Sequence, residues 1–301
     1  MMSSVRVAVP RKGRPLEAVL ERFVRDAPTE IADRVDDVIS TLQYEKAVTK
    51  GTVEADRPVY DRLAHYSDAT DRYHPEFTLL RDAREGMPRR VVFDAITLPL
   101  DGTDVQLVGR EEPFRALRKH EFALGFDSAD LVLEEVVELR GNPLTSLAEV
   151  NERIDPHDTD VRLVDGLGDT VHHTLLATHE VRSDASIHTD TLDRSFVAEY
   201  EGPLCISPRY ERLVEAVIGT DALDGVEFVY PNGEPEEEAA IADAGLGVYL
   251  TVTGSTARDH GLHVGERLFP SETVLLANER ELDEAAESVI DSLFAAPAAS
   301  D

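Results

Sequence analysis

The chain has 301 residues, 42% of them apolar, and 60 acidic residues against 30 lysines and arginines, for a net charge of −30. That apolar content supports one large or two medium folded domains and excludes disorder along the whole length. The acidity disfavours nucleic acid as a partner, and the single cysteine, Cys205, excludes an internal disulfide and any multi-cysteine metal site.

Residues 5–9 (VRVAV) read as a strand, followed by Pro10 and a basic turn of Arg11, Lys12, Gly13 and Arg14. A helix starts just after Pro15, with Leu16, Val19, Leu20 and Phe23 at helical spacing. The basic turn therefore sits at the carboxyl end of a strand, the edge where open α/β sheets hold ligands. Residues 30–90 are polar and rich in Arg and Asp, with Tyr60, Tyr66, Tyr73 and Phe77 scattered through them, and no element is assigned there. Strands are expected at 91–100, 105–108 and 121–126, helices at 113–119 and from 129, and a helical stretch around 147–154. HHTLLATHEV at 172–181 carries the chain into a second lobe. Strands follow at 204–207, 226–230, 247–252 and 274–278. Helices follow at 210–217, from an acidic turn at 234–238 to Ala244, and at 281–294, before a tail expected to fray at 295–301. Strands alternating with helices predict an α/β fold with a mostly parallel, doubly wound arrangement.

Lysine is confined to Lys12, Lys46, Lys50 and Lys119. With the acidic excess, this composition points to a halophilic source, where molar salt shortens the Debye length to about 3 Å and screens self-repulsion; the rival reading is an ordinary acidic protein. The N-terminal apolar stretch is short for an export signal and no segment approaches a membrane span, so a cytoplasmic location without membrane contact is expected. Any site for a phosphorylated small molecule must build a local positive field against the global negative one.

The strand at 247–252 runs into Thr253, Gly254, Ser255 and Thr256. Glycine lets the backbone approach a ligand, and the hydroxyls and amides around it suit a phosphate monoester without any lysine. Alone, the tetrapeptide is a weak signal, and an ordinary turn rich in Ser and Thr is the preferred reading.

The wider stretch 248–278, VYLTVTGSTARDHGLHVGERLFPSETVLLAN, resembles the phosphoribosyl-binding stretch of ATP phosphoribosyltransferases, the family of the first step of histidine biosynthesis. Arg258, the pair Gly261 and Leu262, Ser271, and the pair Ala277 and Asn278 fall where that family has its arginine, Gly-Leu pair, serine and strand-ending Ala-Asn. IADAG at 241–245 looks like its Leu-Ala-Asp-Ala helix end. VRVAVPRKGRPLEAVLERF at 5–23 is similar to its amino-terminal strand, Lys-Gly-Arg turn and helix. FALGFDSADLVLEE at 122–135 is similar to its Asp-Leu-Gly-Ile-Thr-Gly-x-Asp segment, with Leu124, Gly125 and Asp130 matching. Arg110 stands where the family has an arginine before a short helix. The likeness covers roughly half of the chain, in the family's order.

The resemblance implies a two-lobed α/β fold like type II periplasmic binding proteins, with mostly parallel sheets and the ligand in a cleft between the lobes. The first lobe would be discontinuous, 1–170 with 264–301, and 171–263 would form the second. Thr253, Gly254, Ser255, Thr256 and Arg258 would bind the phosphoribosyl group, Lys12, Gly13 and Asp130 the nucleotide or another anion, and Arg14 and Arg110 would be catalytic. The implied reaction moves the phosphoribosyl group of phosphoribosyl pyrophosphate (PRPP) to N1 of ATP with Mg²⁺, without assigned protein metal ligands, in a chain that acts as a homodimer. Its oxocarbenium-like transition state asks for positioning and for neutralisation of the departing pyrophosphate.

The departures point elsewhere. Tyr249 replaces an acidic residue that in the family can meet ribose hydroxyls, Val252 precedes the loop threonine, and Asp127 and Ser128 replace a Thr-Gly pair. They favour the alternative of a non-catalytic PRPP-binding or regulatory module; a third reading is a binder of some other small anion. His173 and His179 would share a strand face as a metal pair, although solvent-facing histidines are the preferred reading of His172, His173, His179 and His188. His260 and His263 read as helix or loop surface, Cys205 as a small buried residue, and Glu236, Glu237 and Glu238 as a solvated turn.

Overall fold

The computed structural model describes residues 4–25, 27–68, 70–80, 89–184, 187–231 and 237–294. In chain order they form β1 (Ser4–Pro10), α1 (Gly13–Val24), α2 (Thr29–Thr49), α3 (Val59–His65), β2 (Glu76–Leu80), β3 (Arg90–Leu100), β4 (Thr103–Arg110), α4 (Pro113–Arg118), β5 (Leu124–Ser128) and α5 (Ala129–Glu135). After a 3-10 segment at Leu147–Arg153 come β6 (Val161–Gly166), β7 (Val171–Ala177), α6 (His179–Arg182), α7 (Arg194–Glu199), β8 (Gly202–Cys205), α8 (Glu211–Ile218) and β9 (Val226–Val229). The chain continues through α9 (Glu237–Ala244), β10 (Leu246–Thr251), α10 (Ser255–Asp259), β11 (His263–Ser271), β12 (Thr273–Asn278) and α11 (Glu284–Phe294). Most of the expected acidic turn, Glu234 to Glu236, and the tail at 295–301 lie outside the described residues. Among the described residues, no helix is long and apolar enough to cross a membrane.

The α/β chain divides into two units, each with its own sheet. Unit 1 comprises Met1–Asp127, Asp160–Leu167 and Thr273–Asp301; unit 2 comprises Ser128–Thr159 and Gly168–Glu272. This division differs from the expected boundaries, because 128–159, 168–170 and 264–272 fall in unit 2. The reason for the last segment is its pairing: β11 runs antiparallel along β7.

Unit 1 is built on a seven-stranded sheet in the order β2-β3-β4-β1-β5-β12-β6. β1 lies parallel to β4 and β5, whereas β2–β3, β3–β4 and β12–β6 are antiparallel, so the sheet is mixed rather than mostly parallel. The β3–β4 hairpin accounts for part of that difference. Its two turn residues, Asp101 and Gly102, both take positive φ (45° and 85°), as a tight hairpin of the Asp-Gly kind requires. On one face, Val5, Val7 and Val9 of β1 share a core with Leu16, Val19, Leu20 and Phe23 of α1 and with Leu275 and Val289. Each such fully buried aliphatic side chain contributes about 1.5–3 kcal/mol.

The stretch left unassigned in the sequence contains the 21-residue helix α2, whose buried residues are only Val35, Val38 and Glu45. Glu45 is 2% exposed and accepts two hydrogen bonds from Arg62 of α3, at 2.7 and 2.8 Å, and one from the Tyr66 hydroxyl at 3.0 Å. Those bonds raise the Arg62 pKa, and burial followed by the bond to Glu45 pushes the Tyr66 phenol up to about 12.

Unit 2 carries a five-stranded sheet, β11-β7-β10-β8-β9, again mixed: β7 is antiparallel to β10 and β11, and β8 is parallel to β9 and β10. Glu134 at the end of α5 accepts the Leu213 amide of α8 at 2.8 Å. Burial pushes its carboxyl up to about 7, against the lowering pull of that amide and of Arg212. The folded unit thus prefers protonated Glu134, and this preference contributes stability below the ordinary value of 4.5 that is lost as pH rises through about 7. Glu134→Gln should therefore gain thermal stability relative to the parent between about pH 5 and about pH 8. Parallel melting curves for the two proteins over that range would refute this.

Candidate functional site

β10 holds the middle of the unit 2 sheet, and its last residue is fixed by a hydroxyl pair, Thr251 to Thr174 at 2.7 Å. The chain then turns through Val252 and Thr253 into Gly254, which sits in the left-handed region at φ 68° and ψ 21° and starts α10. A Cβ at Gly254 would stand 2.8 Å from Val264 Cγ2, so glycine is required by both conformation and space. Thr253 Oγ1 and Ser255 Oγ approach to 3.1 Å, the Ser255 amide donates to Thr253 Oγ1 at 3.4 Å, and Arg258 Nη1 donates to the Thr253 carbonyl at 3.0 Å. Thr253, Ser255, Thr256 and Arg258 are exposed, while Gly254 and Ala257 are buried. Ala257 anchors the turn in a small core with Leu176, Cys205, Ile241 and Leu262. The result is a fixed loop whose hydroxyls lie together at a strand end, the arrangement that suits an anion held by amides and hydroxyls.

Tyr249 is half-buried against the same core, and its phenol is raised by burial first and then by Glu237 and Glu238. Val252 is 67% exposed, an unusual degree for valine. Neither supplies the carboxylate that a ribose-binding position would use.

In unit 1 the parallel pairing of β1 with β4 places Pro10 opposite Arg110. Lys12, Gly13, Arg14 and Arg110 therefore gather at one carboxyl edge of the sheet. Arg11 is spent on structure: its Nε donates to the Gly109 carbonyl at 3.1 Å and its guanidinium pairs with Asp94 at 3.5 Å. Lys12 and Arg14 are exposed, and Lys12 reaches Glu111 at 3.8 Å. Arg110 lies over the Phe122 ring, 4.9 Å from its centre, and donates to its neighbour Gly109. Asp127 and Ser128, the replacements for Thr-Gly, act as helix caps: Asp127 accepts the Phe114 amide at 2.9 Å and Ser128 the Asp130 amide at 3.3 Å.

Asp130, expected to bind nucleotide or another anion, lies in the interior of unit 2. It is 7% exposed, and its two carboxylate oxygens are taken by His173 Nε2 at 3.0 Å and by the Ser271 hydroxyl at 2.9 Å. His173 is likewise not solvent-facing: it is 1% exposed and meets the Tyr210 ring edge-on at 4.9 Å. His179 begins α6 and lies beside His263, their rings 5.8 Å apart, so the alternative of a His173 and His179 pair on one strand does not form. Among the described residues, no group of three or more His, Cys, Asp or Glu side chains could hold a metal ion. Cys205 is buried, as its place in the strand pattern implied. Lys46, Lys50 and Arg90, which join Lys12 and Gly13 around one cavity, gave no signal in the sequence because they lie in the unassigned stretch.

A family model described as halobacterial ATP phosphoribosyltransferase matches residues 1–300. No curated protein matches the chain. Among solved structures, it is similar to the ATP phosphoribosyl transferase (HisG:HisZ) complex of Thermotoga maritima at 14% identity and a TM-score of 0.41, over 96% of each chain. YhfZ of Shigella flexneri is similar at 9% identity and a TM-score of 0.44, over 97% of this chain and 84% of that one. The periplasmic VFT2 domain of Bordetella pertussis BvgS is similar at 13% identity and a TM-score of 0.33, over 64% and 70%. With the family match running from the basic amino-terminal turn through the Thr-Gly-Ser-Thr loop to the last helix, the chain belongs to the halobacterial ATP phosphoribosyltransferases.

Proposed function

We propose that the chain binds PRPP through residues 253–258 and transfers its phosphoribosyl group to N1 of ATP, the entry reaction of histidine biosynthesis. The observation that carries this reading is the loop itself: a left-handed Gly254 with no room for a side chain, flanked by two hydroxyls 3.1 Å apart, in a chain matched end to end by the family. The 5-phosphate would take the hydroxyls of Thr253, Ser255 and Thr256 and the amides that open α10. Arg258, already bonded to the Thr253 carbonyl, would hold the loop's shape and add positive charge.

In the reaction, the bond from the anomeric carbon to the pyrophosphate oxygen breaks and its electron pair leaves with pyrophosphate, while the N1 lone pair forms the new bond. Bond cleavage loads negative charge on the departing pyrophosphate, which fixed cations stabilise, while bond formation places positive charge on the adenine ring, relieved by loss of a proton to solvent. In unit 1 the exposed Lys12 and Arg14, with Arg110, provide a charge complement suited to a polyphosphate. Magnesium belongs to this reading as the companion of the substrate pyrophosphate, a form in which it is usually held together with one or two carboxylates.

Purified protein given PRPP, ATP and Mg²⁺ in molar KCl should release pyrophosphate and form phosphoribosyl-ATP. Tyr249 and the exposed Val252 favour the second reading, PRPP binding without transfer. Saturable PRPP binding with no pyrophosphate released would select it and remove the catalytic claim.

A further inference from the structure

The 253–256 loop depends on two strands of unit 2 that do not pair with each other. β10 runs into the loop, and β11 walls it, since Val264 is what a side chain at Gly254 would strike. Each of these strands pairs with β7 between them, so their spacing is set through β7. The β7–β10 ladder is regular from Leu246 with Ala177 to Thr251 with His172. The β7–β11 ladder shifts register twice, between Val264 and Arg267 and between Arg267 and Phe269. Such irregularities leave backbone groups out of the ladder and bend the strand. Main-chain hydrogen bonds therefore hold β11 less firmly than β10.

A side-chain link crosses the irregular ladder. Asp130, near the start of α5, is 7% exposed. One of its oxygens accepts His173 Nε2 of β7 at 3.0 Å and the other the Ser271 hydroxyl of β11 at 2.9 Å. The register sets these two partners diagonally on one face, because Ser271 stands opposite Val171, two residues before His173. Beside this link the Ala129 amide donates to the Glu272 carbonyl at 3.0 Å, which ties α5 to the end of β11 a second time. A carboxylate kept from water needs its oxygens bonded, and here one bond goes to each strand. The core that anchors the loop, Ala257 against Leu176, lies on the opposite face, since Leu176 and His173 are three residues apart on β7. Asp130 thus acts on the loop only through the placement of β7 and β11.

Given the reading of that loop as the site of the PRPP 5-phosphate, we infer that Asp130 is a positioning residue. Its single carboxylate pins β11 to β7, holds Val264 against Gly254 and so keeps residues 253–256 in the shape that takes the phosphate.

The test uses Asp130→Asn, which keeps the volume and removes the charge, and Ser271→Ala, which severs the bond to β11 alone. Each is made in the full parent chain and again on Ser255→Ala/Thr256→Ala, and PRPP is titrated calorimetrically in molar KCl. In the parent background Asp130→Asn should weaken PRPP binding about 10-fold and Ser271→Ala about threefold. The deciding readout is coupling. With the loop hydroxyls already removed, Asp130→Asn should cost no more than about threefold, because the bonds it positions are gone. Equal losses in both backgrounds would make Asp130 a structural residue only and overturn the assignment. Affinity within about twofold of the parent in both Asp130→Asn and Ser271→Ala would overturn it as well. Failure of the loop reading has a different signature: Ser255→Ala/Thr256→Ala by itself would leave PRPP binding unchanged, and the positioning role would fall with it.

Discussion

Replacing Gly254 by valine is expected to weaken PRPP binding about 100-fold, equivalent to roughly 3 kcal/mol. Two effects act together. A β-branched residue at φ 68° is strained wherever it occurs, and its Cβ would fall 2.8 Å from Val264 Cγ2, so the loop has to leave its present path. Titration of PRPP in molar KCl measures the loss, and circular dichroism reports whether the fold survives. Gly254→Val alone does not separate a displaced loop from a damaged unit. Ser255→Ala with Thr256→Ala provides that separation, since it keeps the backbone and removes two exposed hydroxyls. This double variant should bind about 10-fold more weakly. Binding within about threefold of the parent in both variants would exclude the loop as a phosphate site.

Arg62→Ala is expected to destabilise unit 1 by about 3–5 kcal/mol, because it strands the Glu45 carboxylate in the interior with only the Tyr66 hydroxyl as partner. The complementary Glu45→Leu/Arg62→Leu variant should recover most of that loss, since an apolar pair of similar volume avoids the desolvation cost of both charges. Denaturant unfolding at fixed KCl gives both numbers. A loss below about 1 kcal/mol for Arg62→Ala would mean that the pair behaves like an exposed one, despite its burial.

Where hydrophobic periodicity is strong, the fold was legible in the sequence. Val5, Val7 and Val9 followed by Leu16, Val19, Leu20 and Phe23 announced a strand, turn and helix, and all seven are buried. The run into Thr253 was legible as a strand entering a glycine turn. α2 was not, because only Val35, Val38 and Glu45 of its 21 residues are buried, leaving no apolar stripe to read. β11 escaped notice for another reason: it is an edge strand with Glu266 and Arg267 at its centre, Pro270 near its end and irregular register along β7. Within the site, local chemistry such as the left-handed turn could be anticipated. Asp130 could not, because its partners His173 and Ser271 lie 43 and 141 residues away, and a match to a motif says nothing of what folds over it. The same limit hid the cavity around Lys46, Lys50 and Arg90.

The position of β12 bears on how the protein is made. It is inserted between β5 and β6, so two strands completed early in synthesis wait for a neighbour that follows more than a hundred residues later. At ordinary elongation rates that wait lasts roughly 5–30 s. Throughout it β5 presents an open edge, the feature that invites wrong partners on a crowded ribosome. The unit begun first is therefore finished last, and a slow or stalled ribosome within 168–272 would prolong the period in which the nascent chain depends on chaperones.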